Sequence, residues 1–265
     1  MVRRMLVRPL LALALLLAGG LATAQTQPAL AQAAQTQPTP AASAFSAAQR
    51  AEIVAILRRA LRTDPSILRD AVTALQADEG TGKQARAQAA IEHAGATLAH
   101  AAGDPVAGNP DGDVTLVEFY DLRCPYCRRM LPVMAELLAG DPKLRLVYKD
   151  IPILGPPSAL GARAVLAAQR QDGYLRLHDA IMGGGPALTE DTLRAAATRA
   201  GLDWERLRRD MAAPDVQARI DANLDLAQSL GIDGTPAYVV GNHLIPGAVS
   251  LSDLRAAIAA VRQGG

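Results

Sequence analysis

Cysteine is scarce in this sequence, with two in 265 residues. That scarcity excludes a disulfide-stapled scaffold and leaves no second pair to complete a four-thiolate zinc site. Histidine is rare too, at four. His93, His100 and His178 fall in helical stretches and His243 sits beside a turn, so no metal ligand set is expected. Charge of one sign is also missing: 27 Lys and Arg stand against 26 Asp and Glu, which offers no basic face for nucleic acid. Aromatic residues are 3% of the chain, yet 50% of residues are apolar, so a sizeable core can still form. Long apolar runs are absent. The strictly apolar run Leu10 to Ala18 is about half of the roughly 20 residues that a membrane-spanning helix needs.

That short run is flanked as a leader would be. Arg3, Arg4 and Arg8 precede it and Ala22-Thr23-Ala24 follows, the pattern of a secretory signal peptide over residues 1–24 cleaved after Ala24; Ala31-Gln32-Ala33 is an alternative site. Loss of the three arginines would turn the formal charge of +1 slightly negative. Residues 25–42 are Ala, Gln, Thr and Pro with almost no large apolar side chains, a composition that cannot bury enough surface to order itself and reads as a disordered linker.

From residue 43 to 102 the pattern is helical. Ile53, Ile56, Leu57, Ala60 and Leu61 recur at three- and four-residue spacing. Asp64-Pro65 then opens a second helix with Ile67, Leu68, Ala71, Val72 and Leu75 on its stripe, and a third stretch runs from about Gly82 to His100. These apolar stripes need a partner surface, and a homo-oligomer assembled through residues 43–102 is the expectation.

Beyond Gly103 the texture becomes α/β. Val114 to Tyr120 reads as a buried strand. Cys124-Pro125-Tyr126-Cys127 follows, then a periodic stretch of Met130, Leu131, Met134, Leu137 and Leu138 closed by Gly140. A strand over Leu144 to Ile151, a helical region of about 158–230, strands at Ala237–Val240 and His243–Pro246 joined by Gly241-Asn242, and a last helix capped by Ser250 or Ser252 complete the chain.

The two cysteines are too close together to act as a structural staple, because so small a loop removes little chain entropy. Their use is chemical. Cys124 stands at a helix start, where orphan N–H groups and the helix dipole favour a thiolate, and Arg123, Arg128 and Arg129 add positive potential nearby in sequence. Cys127, one turn later, is placed to resolve a mixed disulfide.

Val-Glu-Phe-Tyr-Asp-Leu-Arg-Cys-Pro-Tyr-Cys, then Val-Tyr-Lys-Asp-Ile-Pro-Ile-Leu-Gly, then Gly-Thr-Pro-Ala-Tyr-Val-Val-Gly together resemble the DsbA-like family of thioredoxin-fold proteins. Within it they are most similar to the ScsC and Com1-like group, which carries an N-terminal helical extension. The resemblance implies an α/β thioredoxin-like domain over residues 103–265 with a helical insertion at about 158–230. It implies a thiol–disulfide oxidoreductase, oxidase or isomerase, working in the periplasm without a cofactor. Its partners would be exported cysteine-containing clients and a membrane redox protein that recycles the disulfide. Glu118 resembles the family's buried acid, which relays the resolving thiol's proton; a strand residue merely paired with Lys149 is the plainer alternative. Thr235-Pro236 resembles the cis-proline loop, which with Pro125 and Tyr126 would form the substrate-binding face. A binding or holdase module with a structural disulfide is the competing reading.

Overall fold

The computed structural model describes residues 45–185 and 187–264. The expected signal peptide and linker, with residues 43 and 44, lie outside the described residues. The chain divides into two compact units, one ending at Arg62 and the other running from Thr63.

The first unit is represented by helix α1, Ala47–Thr63. Ser46 opens it with a reciprocal cap: its hydroxyl accepts from the Gln49 N–H at 3.3 Å while the Gln49 side chain accepts from the Ser46 N–H at 2.8 Å, so two orphan donors of the first turn are satisfied at once. No residue of α1 is buried. Ile53, Val54, Ile56, Leu57 and Leu61 are all exposed.

The second unit begins with α2, Ser66–Ala94, and α3, Ala96–Ala99. The expected second and third helices are therefore largely one, and its 29 residues run straight through Gly80 and Gly82. A glycine in a helix interior costs only about 1 kcal/mol relative to alanine, and the Ala, Leu, Gln, Lys and Arg around these two supply the compensation. Asp64 does act at the start, accepting from the Ser66 N–H at 3.1 Å.

Five strands form a mixed sheet in the order β1-β3-β2-β4-β5: β1 Val106–Gly108, β2 Val114–Tyr120, β3 Leu144–Asp150, β4 Ala237–Val240 and β5 His243–Pro246. Strands β2 and β3 are parallel; the other pairs are antiparallel. Helix α4, Pro125–Gly140, makes the β2–β3 crossover. The expected helical region resolves into α5 Pro156–Ala168, α6 Tyr174–Met182, α7 Glu190–Arg199, α8 Trp204–Asp210 and α9 Pro214–Ser229, and α10, Leu251–Gly264, ends the described chain. The short edge strand β1 had no sequence expectation. At Gly108 (φ 72°) a Cβ would stand 2.5 Å from the Leu144 carbonyl oxygen, so only glycine lets β1 approach β3 there.

Period-two alternation along β2 sorts its side chains between two cores. Leu116 and Tyr120 join Met130, Met134 and Leu137 of α4 and Leu254 and Ile258 of α10 on one face. Val117 and Phe119 face the other way, against Ile91 of α2, Leu98 of α3 and Ala227 and Leu230 at the end of α9. The packed α/β unit therefore draws on helix residues before Gly103. Glu118 alternates onto the Leu116 face, which decides what it can meet.

Candidate active site

Cys124 occupies the N-cap of α4 with extended backbone angles (φ −65°, ψ 120°), and Pro125 takes the first helical position, where the missing N–H leaves nothing unsatisfied. Cys124 is 4% exposed and Cys127 1%; both are thiols. The Cys124 thiol donates to the Thr235 carbonyl at 3.1 Å, and the Thr235–Pro236 bond is cis. This contact joins the start of α4 to the loop before β4, 111 residues away in sequence. Pro125 and Tyr126 stand exposed beside it.

The two thiols are driven apart electrostatically. A hydrogen bond from the Cys127 side chain is the largest influence holding Cys124 down, to about 5; burial opposes it, and the Thr235 side chain and the Cys127 and Tyr126 backbone groups add to the lowering. Those backbone groups belong to the first turn of α4, so the helix-start argument operates here directly. Cys127 is pushed up, first by its bond to Cys124, then by burial and the Glu118 charge.

The arginines act otherwise than their sequence proximity implies. The Arg123 Nη1 donates to the Leu154 carbonyl at 2.7 Å, Arg129 lies over the Tyr126 ring at 4.4 Å, and Arg128 donates to the carbonyls of Ile181, Met182 and Gly184. Arg123 and Arg128 brace segments around α4 and Arg129 packs on α4 itself, whereas hydrogen bonds lower the Cys124 thiol.

Glu118 is 4% exposed. Its register neighbours are Tyr148 on β3 and Tyr238 on β4, and the Tyr238 hydroxyl donates to it across a long 3.4 Å. Burial raises it to about 8, with that hydrogen bond pulling the other way. The plainer pairing with Lys149 does not occur. Lys149 registers with Phe119 and so emerges on the opposite face, where it meets Asp104 at 2.7 Å.

Two buried acids near the site had no sequence expectation. Asp121, between β2 and Cys124, accepts from the Arg123 and Leu154 N–H groups at 2.7 and 3.0 Å and from the Ser158 hydroxyl at 2.8 Å, tying the active-site turn to α5. Asp150 accepts from the hydroxyls of Tyr120 at 2.5 Å and Tyr174 at 2.8 Å, and burial raises it to about 7. His178, expected to pack within a helix, is buried among Tyr120, Tyr148 and Tyr174. Among the described residues no three His, Cys, Asp or Glu side chains are grouped to hold a metal ion, and no helix is long and apolar enough to cross a membrane.

Residues 115–259 match the DSBA-like thioredoxin domain, more than half of the sequence. The chain belongs to that family. A thioredoxin-like oxidoreductase from Silicibacter pomeroyi is 46% identical, with a TM-score of 0.63 over 64% of this chain and 98% of that one. Proteus mirabilis ScsC in a transitional conformation is 30% identical, with a TM-score of 0.62 over 84% of this chain and 99% of that one. Among curated relatives, a probable disulfide bond formation protein D of Bacillus cereus is 31% identical over 149 residues, 51% of this chain and 69% of that one. The chain also spans about a quarter (24%) of the Na(+)/H(+) antiporter NhaA 3 of Salinispora tropica, at 31% identity over 157 residues.

Proposed function

We propose that this chain is a periplasmic thiol–disulfide oxidoreductase acting on exported proteins. The observation that carries the reading is the opposed pair on one helical turn: Cys124, in contact with the cis-proline loop and depressed to about 5, and Cys127, buried and raised.

The steps follow from that asymmetry. In the oxidising direction a client thiolate attacks Cys124 in the Cys124–Cys127 disulfide; the S–S bond breaks, a client–Cys124 mixed disulfide forms, and Cys127 leaves as a thiolate that takes up a proton. A second client thiolate then attacks the client sulfur of that bond. Cys124 departs, two electrons have passed to the enzyme, and the client holds a disulfide. A low leaving-group pKa speeds the last step. Each unit by which Cys124 lies below ambient pH favours the reduced enzyme by about 1.4 kcal/mol, or about 30 mV for a two-electron couple. Glu118 is suited to carry the Cys127 proton, since its own affinity is raised to about 8 and its charge acts on that thiol. Thr235, Pro236, Pro125 and Tyr126 form the face against which a client lies.

The wider reading assigns residues 1–24 to export, 25–42 to a linker and 43–102 to self-association, with a membrane redox protein recycling the site. The exposed stripes of α1 and α2 (Ile56 57%, Leu57 55%, Leu68 59%, Leu75 59%) support assembly. Several sites around one client would bias the enzyme toward isomerisation.

The test is trapping. Cys127→Ala should accumulate mixed disulfides on Cys124 with reduced or scrambled clients, and iodoacetamide should label reduced Cys124 near pH 6. If no adduct forms and labelling follows an ordinary thiol pKa of about 8.5, the disulfide is structural and the holdase reading takes its place.

A further inference from the structure

The cis-proline loop that touches Cys124 also lines a groove. A cavity of about 160 Å³ lies along Asp233, Gly234, Thr235 and Pro236 and is closed by Leu244 and Pro246 of β5. A second, of about 510 Å³, shares Gly231, Asp233, Leu244 and Pro246 with it and is walled on its far side by Lys83, Gln84, Arg86 and Ala87 of α2. The two are neighbours, with those four residues walling both. Their floor is apolar, with Leu230 and Ala87 buried.

Charge is distributed unevenly along the groove. Asp233 stands at the near end, next to the loop that holds Cys124. Lys83 and Arg86 stand at the far end, three residues apart and so on one face of α2. All three are exposed, and none has a hydrogen-bonding or ionic partner among the described residues. Two unpartnered cations at the end of an apolar channel are complementary to an anionic side chain on whatever lies in it. An extended polypeptide advances about 3.3 Å per residue and projects alternate side chains, so a segment leaving the reacting cysteine can present an acid to α2 within a few residues.

Resting on the oxidoreductase reading above, we propose that Lys83 and Arg86 are specificity residues that select client segments bearing an acidic side chain a few residues from the reacting cysteine. Asp233 sharpens the choice by disfavouring an acid immediately beside that cysteine. Helix α2 is thereby part of the substrate site.

The full-length oxidised protein is mixed with matched peptides of one cysteine each, carrying Glu or Lys two to five residues from it on either side. Every rate is divided by that with 2-mercaptoethanol, an uncharged thiol too small to reach α2. A Glu peptide in the preferred register should react about tenfold faster than its Lys counterpart at low ionic strength, with the gap closing as salt is added. The double variant Lys83→Glu/Arg86→Glu should reverse the preference, and Arg209→Glu, an exposed change on α8, should keep it. Equal rates for Glu and Lys peptides in every register, or a preference that survives the double reversal, would overturn the groove while leaving the oxidoreductase intact. Failure with every thiol, mercaptoethanol included, would overturn both.

Discussion

Two chemically identical thiols three positions apart are pushed in opposite directions here, first by the hydrogen bond between them. Cys124 accepts from Cys127 and from backbone groups of the first turn; Cys127 is held up by that same bond and then by burial. Between pH 6 and 8 the reduced site therefore carries one thiolate and one thiol. Reduction takes up one proton per two electrons, and the potential should fall by about 30 mV per pH unit, which protein-film voltammetry or glutathione equilibration can read. A slope near 60 mV would mean that both cysteines are protonated. Because the Cys124 pKa is depressed in the fold, its contribution to the reduced protein's stability is present above the unfolded pKa and is lost as pH falls toward 5. Glu118 has the opposite sign. Its pKa is raised to about 8, so the folded state keeps a proton that the unfolded chain releases, and the fold loses stability as pH rises from about 4.5 to 8. Glu118→Gln should accordingly be more stable than the parent at pH 7, on the order of 2 kcal/mol, with no gain at pH 4, while thiol exchange slows. Urea melts at the two pH values, paired with turnover, check both halves.

Among the elements, α2 and α3 hold the least expected position. Ile91 and Leu98 cover Val117, Phe119 and Val147 on the second face of the sheet. Ile91→Ala should cost about 2–4 kcal/mol in a urea melt, whereas an equivalent change at exposed Leu68 should cost much less. Strands β2, β4 and β5 were legible because β-branched and aromatic runs are bounded by turn residues, and α4 because its apolar period begins at Cys124. The pairing of strands was not. That Glu118 would register with Tyr148 and Tyr238, and that Lys149 would turn to the other face, depends on a sheet order joining residues 120 positions apart. Asp121 and Asp150 were invisible for the same reason: a buried acid is recognisable only through its donors, and these include Leu154 and Ser158 for Asp121 and Tyr120 and Tyr174 for Asp150, all distant in sequence. The arginines beside the cysteines misled because adjacency in sequence says little about where a long side chain ends.

On the scale of the whole molecule, the packed α/β unit is accompanied by helical surface that nothing described covers. Full-length protein carrying Leu57→Glu and Leu68→Glu should sediment as a smaller species and refold scrambled substrate more slowly, while still forming mixed disulfides under Cys127→Ala; unchanged sedimentation would dismiss assembly through these stripes. The same region contains an asymmetry of stiffness. Helix α2 spans 29 residues, about 43 Å at 1.5 Å per residue. One end is locked into the core at Ile91. Near its middle a Cβ would meet nothing within 4 Å at Gly80 and only the Arg86 Nη2 at 3.9 Å at Gly82, and each glycine weakens the rod by about 1 kcal/mol relative to alanine. A beam clamped at one end and weakened near its centre yields there before it yields at the clamp, so Lys83, Gln84, Arg86 and Ala87, which lie between the glycines and Ile91, keep their place beside the groove whatever the outer half does.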